Sequence, residues 1–188
     1  MGQKNISLYK MPRGGIEEIK EYALSDGDLR KLLGDNIKVL NYPDLEGMRD
    51  IDDMFDSQGR VVLLYPNAAP TVGHWVCLIR RKDRIEFFDP YGEAPEDQKD
   101  DLPRSQLEAL DIERPLLMNL LRGSGLPVFY NSHSFQSKRG SVATCGKHCA
   151  VRLFYAPYSL SKYKSIIDKS GMSADDFVSG VVFNKIKK

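Results

Sequence analysis

Two rhythms of apolar residues divide this chain. The first is dense and β-rich. Arg60-Val61-Val62-Leu63-Leu64-Tyr65 stops at Pro66, the segment from His74 to Arg81 (HWVCLIRR) follows a loop, and Arg84-Ile85-Glu86-Phe87-Phe88-Asp89 follows a turn and stops at Pro90-Tyr91-Gly92. β-Branched and aromatic side chains fill a pleated surface well, and proline withholds the N–H that a ladder needs. These runs therefore predict strands over 60–65, 74–81 and 84–89. The last two pair as an antiparallel hairpin. That pairing brings His74, at the start of one strand, and Asp89, at the end of the other, to the same edge of the sheet. A further short strand is predicted over 126–130 (LPVFY).

The second rhythm is helical. Residues 25–34 (SDGDLRKLLG) place acids first, Lys31 late and Gly34 as a stop. Helices are also predicted over 104–110 and 114–121, the latter with Leu116, Leu117, Leu120 and Leu121 on its apolar face. The closing helices span 159–169 and 173–183, with Ser173 and Asp176 spaced as a capping box. Ala150, Leu153 and Phe154 recur at helical spacing over 145–156, ahead of Pro157 and behind Thr144 as a cap. Residues 39–43 read as extended and 44–55 as a short helical segment. Residues 1–16 lack periodicity, carry Pro12-Arg13-Gly14-Gly15, and read as a flexible arm. Helices, a sheet with a hairpin, then helices describe one α+β domain over 1–188, a central mixed or antiparallel sheet flanked by helices.

Composition adds mainly exclusions. A chain of 188 residues, 41% hydrophobic and 28% charged, has the balance of a globular protein with one substantial core. A net charge of +1 argues against a dominant electrostatic partner, and the basic ending Asn184-Lys185-Ile186-Lys187-Lys188 reads as a solvated tail. No apolar run approaches a membrane span, and the N-terminus lacks the apolar core of a signal peptide. The expected setting is therefore intracellular, without a membrane partner. Met1-Gly2 opens like a myristoylation signal, but position 6 is Ile and the Ser stands at 7. Three cysteines do not make a disulfide framework, and Cys145 with Cys149 is a CxxxC without further ligands, so no metal is expected.

The candidate chemistry centres on Cys145, where a polar, glycine-bearing loop meets the 145–156 helix. A thiol there faces unpaired N–H groups and the positive end of the helix dipole, which can lower its pKa from about 8.5 into a range of roughly 3.5 to 7.5. Gly146 would leave the flank of such a nucleophile open. A cysteine hydrolase also needs an imidazole, a group that orients it, and donors for the oxyanion. His74 is the candidate base and Asp89 the orienter; the backbone N–H of Cys145 and the side-chain amide of Gln136 are candidate oxyanion donors. Taken singly these are weak signals: a cysteine is usually buried, a histidine at a strand start usually lies on the surface, and an aspartate before proline is usually a turn former. His133 is the rival base, with no acidic orienter near it in sequence. His148 is expected to project from the helix flank in a structural or surface role. Cys77, Cys149 and Phe87-Phe88 read as core, and Trp75 as core or site lining.

Order and surroundings are more specific. Gly73-His74-Trp75 before an apolar strand, then Phe87-Phe88-Asp89-Pro90-Tyr91-Gly92, then Gln136 ahead of Thr144-Cys145-Gly146 closely resembles the clan of cysteine proteases that contains the adenovirus maturation protease (adenain) and the ubiquitin-like-protein-specific proteases. Within it the chain looks most like the maturation proteases of virophages, Polinton-type elements and large DNA viruses. The resemblance covers about residues 25–155. It implies an adenain-like fold with the nucleophile opening a central helix. His74, Asp89 and Cys145 would form the triad, Gln136 would be the oxyanion donor, and Trp75 and Gly146 would line the substrate. It further implies a thiol endopeptidase that needs no cofactor and cuts capsid or other virion precursors after small, Gly-rich sites, in the virion and the host-cell virus factory. A peptide or DNA activator is compatible with that likeness. A deconjugating protease for ubiquitin-like modifiers and an inactive binding module of the same fold are the alternatives. Two departures stand out: Gln136 lies nine residues before Cys145, so 137–144 must loop, and Thr144 replaces the acid that precedes the nucleophile in many ubiquitin-like-protein proteases. Gly14-Gly15 reads as a linker, with self-cleavage at Gly15-Ile16 the sharper alternative.

Overall fold

The computed structural model of the chain describes residues 18–138 and 142–186. A five-stranded sheet organises them, in the spatial order β1 (Lys38–Asn41), β2 (Arg60–Ala69), β3 (Val72–Arg80), β4 (Ile85–Phe88) and β5 (Val128–Tyr130). β2, β3 and β4 run antiparallel, whereas β1 and β5 join the two ends in parallel. The sheet is therefore mixed, and the class is α+β, as the two rhythms predict.

The unbroken apolar run of β2 reflects burial of the sheet on both faces. Successive side chains of a strand point to opposite sides. Val61, Leu63 and Tyr65 accordingly join Val76, Leu78, Ile85 and Phe87 in one core, while Val62 and Leu64 join Trp75, Cys77, Ile79 and Phe88 in the other. The first core is closed by short 3-10 turns at Tyr42–Gly47 and Ile51–Met54, with α2 (Arg104–Ala109) and α3 (Leu116–Gly123). The second is closed by α1 (Asp26–Leu33), α4 (Cys145–Phe154), α5 (Leu160–Ser170) and α6 (Ala174–Ile186). A capping box starts α1, and Ser173 caps α6 by accepting the Asp176 N–H at 3.1 Å. The Ser25 hydroxyl accepts the Asp28 N–H and the Asp28 carboxylate accepts the Ser25 N–H, while Ser173 and Asp176 share a hydroxyl–carboxylate bond of 2.6 Å.

Several boundaries differ from expectation. β2 does not stop at Pro66 but continues to Ala69 through a register break between those residues, and β3 already begins at Val72. The missing N–H of Pro66 is absorbed at that irregularity, and the expected loop shrinks to a tight turn. The 44–55 segment is two 3-10 turns, α4 ends at Phe154, and the strand expected over 126–130 is only Val128–Tyr130. The 1–16 arm and its Gly15-Ile16 bond lie outside the described residues, as do Lys187 and Lys188. Among the described residues no helix is long and apolar enough to cross a membrane.

Candidate functional site

β3 and β4 pair with Cys77 opposite Phe88, which carries His74 and Asp89 to one edge, where His74 Nε2 meets Asp89 Oδ1 at 2.9 Å. Gly73 sets the first of these. A Cβ on it would lie 1.9 Å from the Tyr65 carbonyl oxygen, so only glycine lets β3 approach β2 closely enough to seat His74 opposite Tyr65.

Asp89 is fully buried, yet both its oxygens have donors. Oδ1 also accepts the Tyr91 N–H at 2.6 Å, and Oδ2 accepts the Gln98 amide at 2.5 Å. Asn131 clamps the backbone of Asp89, accepting its N–H at 3.0 Å and donating to its carbonyl at 2.5 Å. Gln98 is aimed by Glu96, which adopts a left-handed φ of 83°. That conformation is costly for a non-glycine residue, and here the Glu96 carboxylate is over-determined by the Tyr42 hydroxyl at 2.6 Å, Lys99 at 2.6 Å and the Met118 N–H at 2.9 Å. Gln98, Tyr91 and Asn131 are contributors that the sequence reading missed. Only Tyr91 and its turn stood inside a noted motif.

α4 crosses β3 and brings Cys145 to the same edge. One turn along, the Cys149 thiol donates to the Trp75 carbonyl at 3.2 Å and locks helix to strand. Cys145 is half-buried and free. Its burial alone would push the thiol up, but the hydrogen bond and charge of His74, with the backbone N–H groups of Trp75 and Gly146, hold it below the ordinary thiol value. Burial likewise works against a charged His74, and the hydrogen bonds and charges of Asp89 and Cys145 overcome it, raising the imidazole to about 10. Both directions favour a thiolate beside an imidazolium. Because Nε2 belongs to Asp89, Nδ1 is the nitrogen left for sulfur.

Gln136 is buried in the adjoining loop. The N–H groups of Phe135 and Gln136 both donate to the Pro90 carbonyl, at 2.8 and 2.9 Å, so this loop is pinned to the turn that follows Asp89. The Gln136 side-chain amide donates to the Val142 carbonyl at 3.3 Å. An amide nitrogen has a second hydrogen, which that contact leaves over. Trp75 is buried beside the site, its indole N–H on the Leu24 carbonyl at 3.0 Å. Gly146 does not leave an open flank: a Cβ there would meet Leu24 Cβ at 3.1 Å and Trp75 Cδ1 at 3.2 Å, so the glycine serves close packing. His133 is exposed, with its ring edge-on to Phe135, and it is His74 that faces the thiol.

Behind Cys145 the structure departs further from expectation. Thr144 stands at the N-cap but makes no capping bond; its hydroxyl donates to Asp175 at 2.5 Å. His148 is fully buried rather than projecting from a flank, and its Nε2 meets the same carboxylate at 3.0 Å. Lys147 is also fully buried, donating to the carbonyls of Tyr22 and Ala143, and burial lowers its ammonium to about 8. The stretch 20–24 is thereby strapped along the nucleophile loop, since Lys20 also accepts the Ala143 N–H at 2.9 Å through its carbonyl.

The arrangement is a mixed α+β sheet with a cysteine, a histidine and an aspartate meeting at one edge, the set from which a nucleophile with an adjacent proton carrier is built. No family model matches the chain. Over 157 residues, 81% of this chain and 89% of the relative, it is 32% identical to the uncharacterized protein V9 of Sputnik virophage, and it belongs to the family of that protein. A looser likeness, with 14% identity and a TM-score of 0.41, covers 100% of this chain and 88% of the C-terminal Ulp1 protease domain solved in complex with Smt3, the yeast orthologue of SUMO.

Proposed function

We propose that the protein is a thiol endopeptidase that processes virion precursor polypeptides. The observation that carries the reading is the juxtaposition of a lowered Cys145 thiol, a raised His74 imidazole and a buried, fully hydrogen-bonded Asp89. Cys145 Sγ attacks the scissile carbonyl carbon, and the C=O π electrons move to oxygen. The Cys145 N–H and the Gln136 amide stabilise that oxyanion. The imidazolium of His74 gives its proton to the leaving amine as the C–N bond breaks, leaving a thioester. Water, deprotonated by His74, then attacks the thioester and releases the acid and the thiolate. Asp89 holds the imidazole in the productive orientation throughout.

The substrate class is supported by the resemblance to viral maturation proteases and by kinship with a virophage protein. Such enzymes act after small residues, and Gly-rich sites in capsid or other virion precursors are the expected targets. The test is N-terminal mapping of products after wild type and Cys145→Ala are each incubated with a denatured, glycine-containing protein mixture. Cuts made only by wild type and clustered after small residues support the proposal. No cuts in that mixture, with Cys145-dependent cutting after the Gly-Gly tail of a separately supplied folded ubiquitin-like modifier, would return the deconjugating reading, and identical patterns from both proteins would sink the protease.

A further inference from the structure

The two groups that the mechanism assigns to the oxyanion stand at opposite ends of one loop. Gln136 precedes residues 137–144 and Cys145 follows them. Both ends of that loop close on one carboxylate. Asp175, in the first turn of α6, is buried. Its Oδ2 accepts the Ser137 N–H at 3.0 Å, and its Oδ1 accepts the Thr144 hydroxyl at 2.5 Å and the His148 Nε2–H at 3.0 Å. Ser137 adjoins Gln136, and Thr144 adjoins Cys145.

A threonine at an N-cap accepts a backbone N–H of its own helix, whereas Thr144 turns away to donate to Asp175. Burial would push the Asp175 carboxyl up, yet the bonds from His148, Thr144 and Ser137 hold it below its usual value and so keep it ionised. Burial holds His148 below its ordinary value against the pull of Asp175, so the ring donates as a neutral imidazole. A buried charge is a poor means of packing a core, because apolar groups of similar volume serve at least as well. What a carboxylate supplies and an apolar group does not is two acceptors at a set spacing, here one for each flank of the loop.

We propose that Asp175 is a positioning residue of the active site: it sets the span between Gln136 and Cys145 so that their two donors meet at the oxyanion. This rests on the protease reading. Asp175 touches neither His74 nor Cys145 through the contacts above, so it acts on the oxyanion side of the chemistry and leaves the thiolate–imidazolium pair alone.

The experiment compares wild type with Asp175→Asn, which keeps the shape but turns one acceptor into a donor. Two quantities are read: kcat and KM on a peptide bearing the site mapped with wild type, and the pH profile of Cys145 alkylation by iodoacetamide. Alkylation needs the thiolate and makes no use of the oxyanion donors. Losing an oxyanion donor outright costs about 10²–10³ in kcat, and misplacing one costs less, so a fall in kcat of roughly 10- to 100-fold is expected with KM and the alkylation profile little changed. Thr144→Val removes a single bond without altering shape and should show the same signature more weakly; it decides the matter if Asp175→Asn does not fold. Wild-type kcat in a folded variant overturns the proposal and leaves the protease standing. A parallel fall in kcat and alkylation also overturns it, since Asp175 would then merely hold the site together. Wild type with neither Cys145-dependent cleavage nor a primed thiolate overturns the protease reading, and this proposal with it.

Discussion

The ring of Tyr91 lies flat against the imidazole of His74, with centroids 4.7 Å apart and planes inclined by only 16°. The face of an aromatic ring is negative, so this stack favours the imidazolium over the neutral ring by about 0.5–2 kcal/mol. Replacing Tyr91 with leucine keeps the backbone N–H bond to Asp89 but removes the π face. His74 should then give up its proton at lower pH. The alkaline limb of the kcat profile moves down by about 0.4–1.5 pH units, while the rate at neutral pH, well below the raised imidazole value of about 10, changes little. An unmoved limb would mean that the stack only packs.

The pairing of Cys145 with His74 makes a pH prediction of definite sign. The thiol is held below its ordinary value and the imidazole raised to about 10, so a thiolate beside an imidazolium is favoured between those two titrations. Iodoacetamide should alkylate Cys145 at lower pH than an ordinary thiol requires. In His74→Ala the hydrogen bond and charge that lower the thiol are gone while burial remains, so the profile should move to higher pH. Overlapping profiles would refute the ion pair.

Gln98 is the donor that Asp89 Oδ2 receives within a closed interior. Gln98→Leu leaves that oxygen without it. Hydrogen bonds to charged groups contribute about 1.5–3 kcal/mol, and a loss of that size is expected in urea unfolding, together with reduced kcat as the carboxylate loses its hold on His74. Unchanged stability would place water or another donor at Oδ2.

Lys147 predicts a stability change with pH. Its folded value, about 8, lies below the unfolded 10.5, so the buried charge weakens the fold most below pH 8, and the penalty fades as pH rises to 10.5. Between about pH 7.5 and 9.5 this one group should raise unfolding stability by about 2 kcal/mol. In Lys147→Met that rise is absent, and the difference between the two urea series isolates it from every other titration. Parallel series would show that the ammonium is solvated.

Much of this was legible because local rules and tertiary outcome agree. The β-branched run at Val61-Val62 and the Ser25 and Ser173 caps are short-range signals, and antiparallel pairing alone brings His74 to Asp89. The misses are long-range contacts. Gln98 reaches Asp89 from a turn whose Glu96 is bonded to Tyr42, 54 residues away. His148 read as a flank residue because Asp175, 27 residues later, lies on a helix whose docking no periodicity specifies. Gly146 read as clearance around a nucleophile, whereas Leu24, from the far end of the chain, fills that space.

Phe177, Val178 and Val182 of α6 share a core with Cys149, Ala150 and Val151 of α4, and a ten-residue helix alone is marginal in water. The helix that begins at Cys145 is therefore held from two sides, by β3, which precedes it in the chain, and by α6, which follows it. Loosening of α6 would free one side of that helix while its seat on β3 remains, so the surroundings of Cys145 depend on a segment about thirty residues further along the chain.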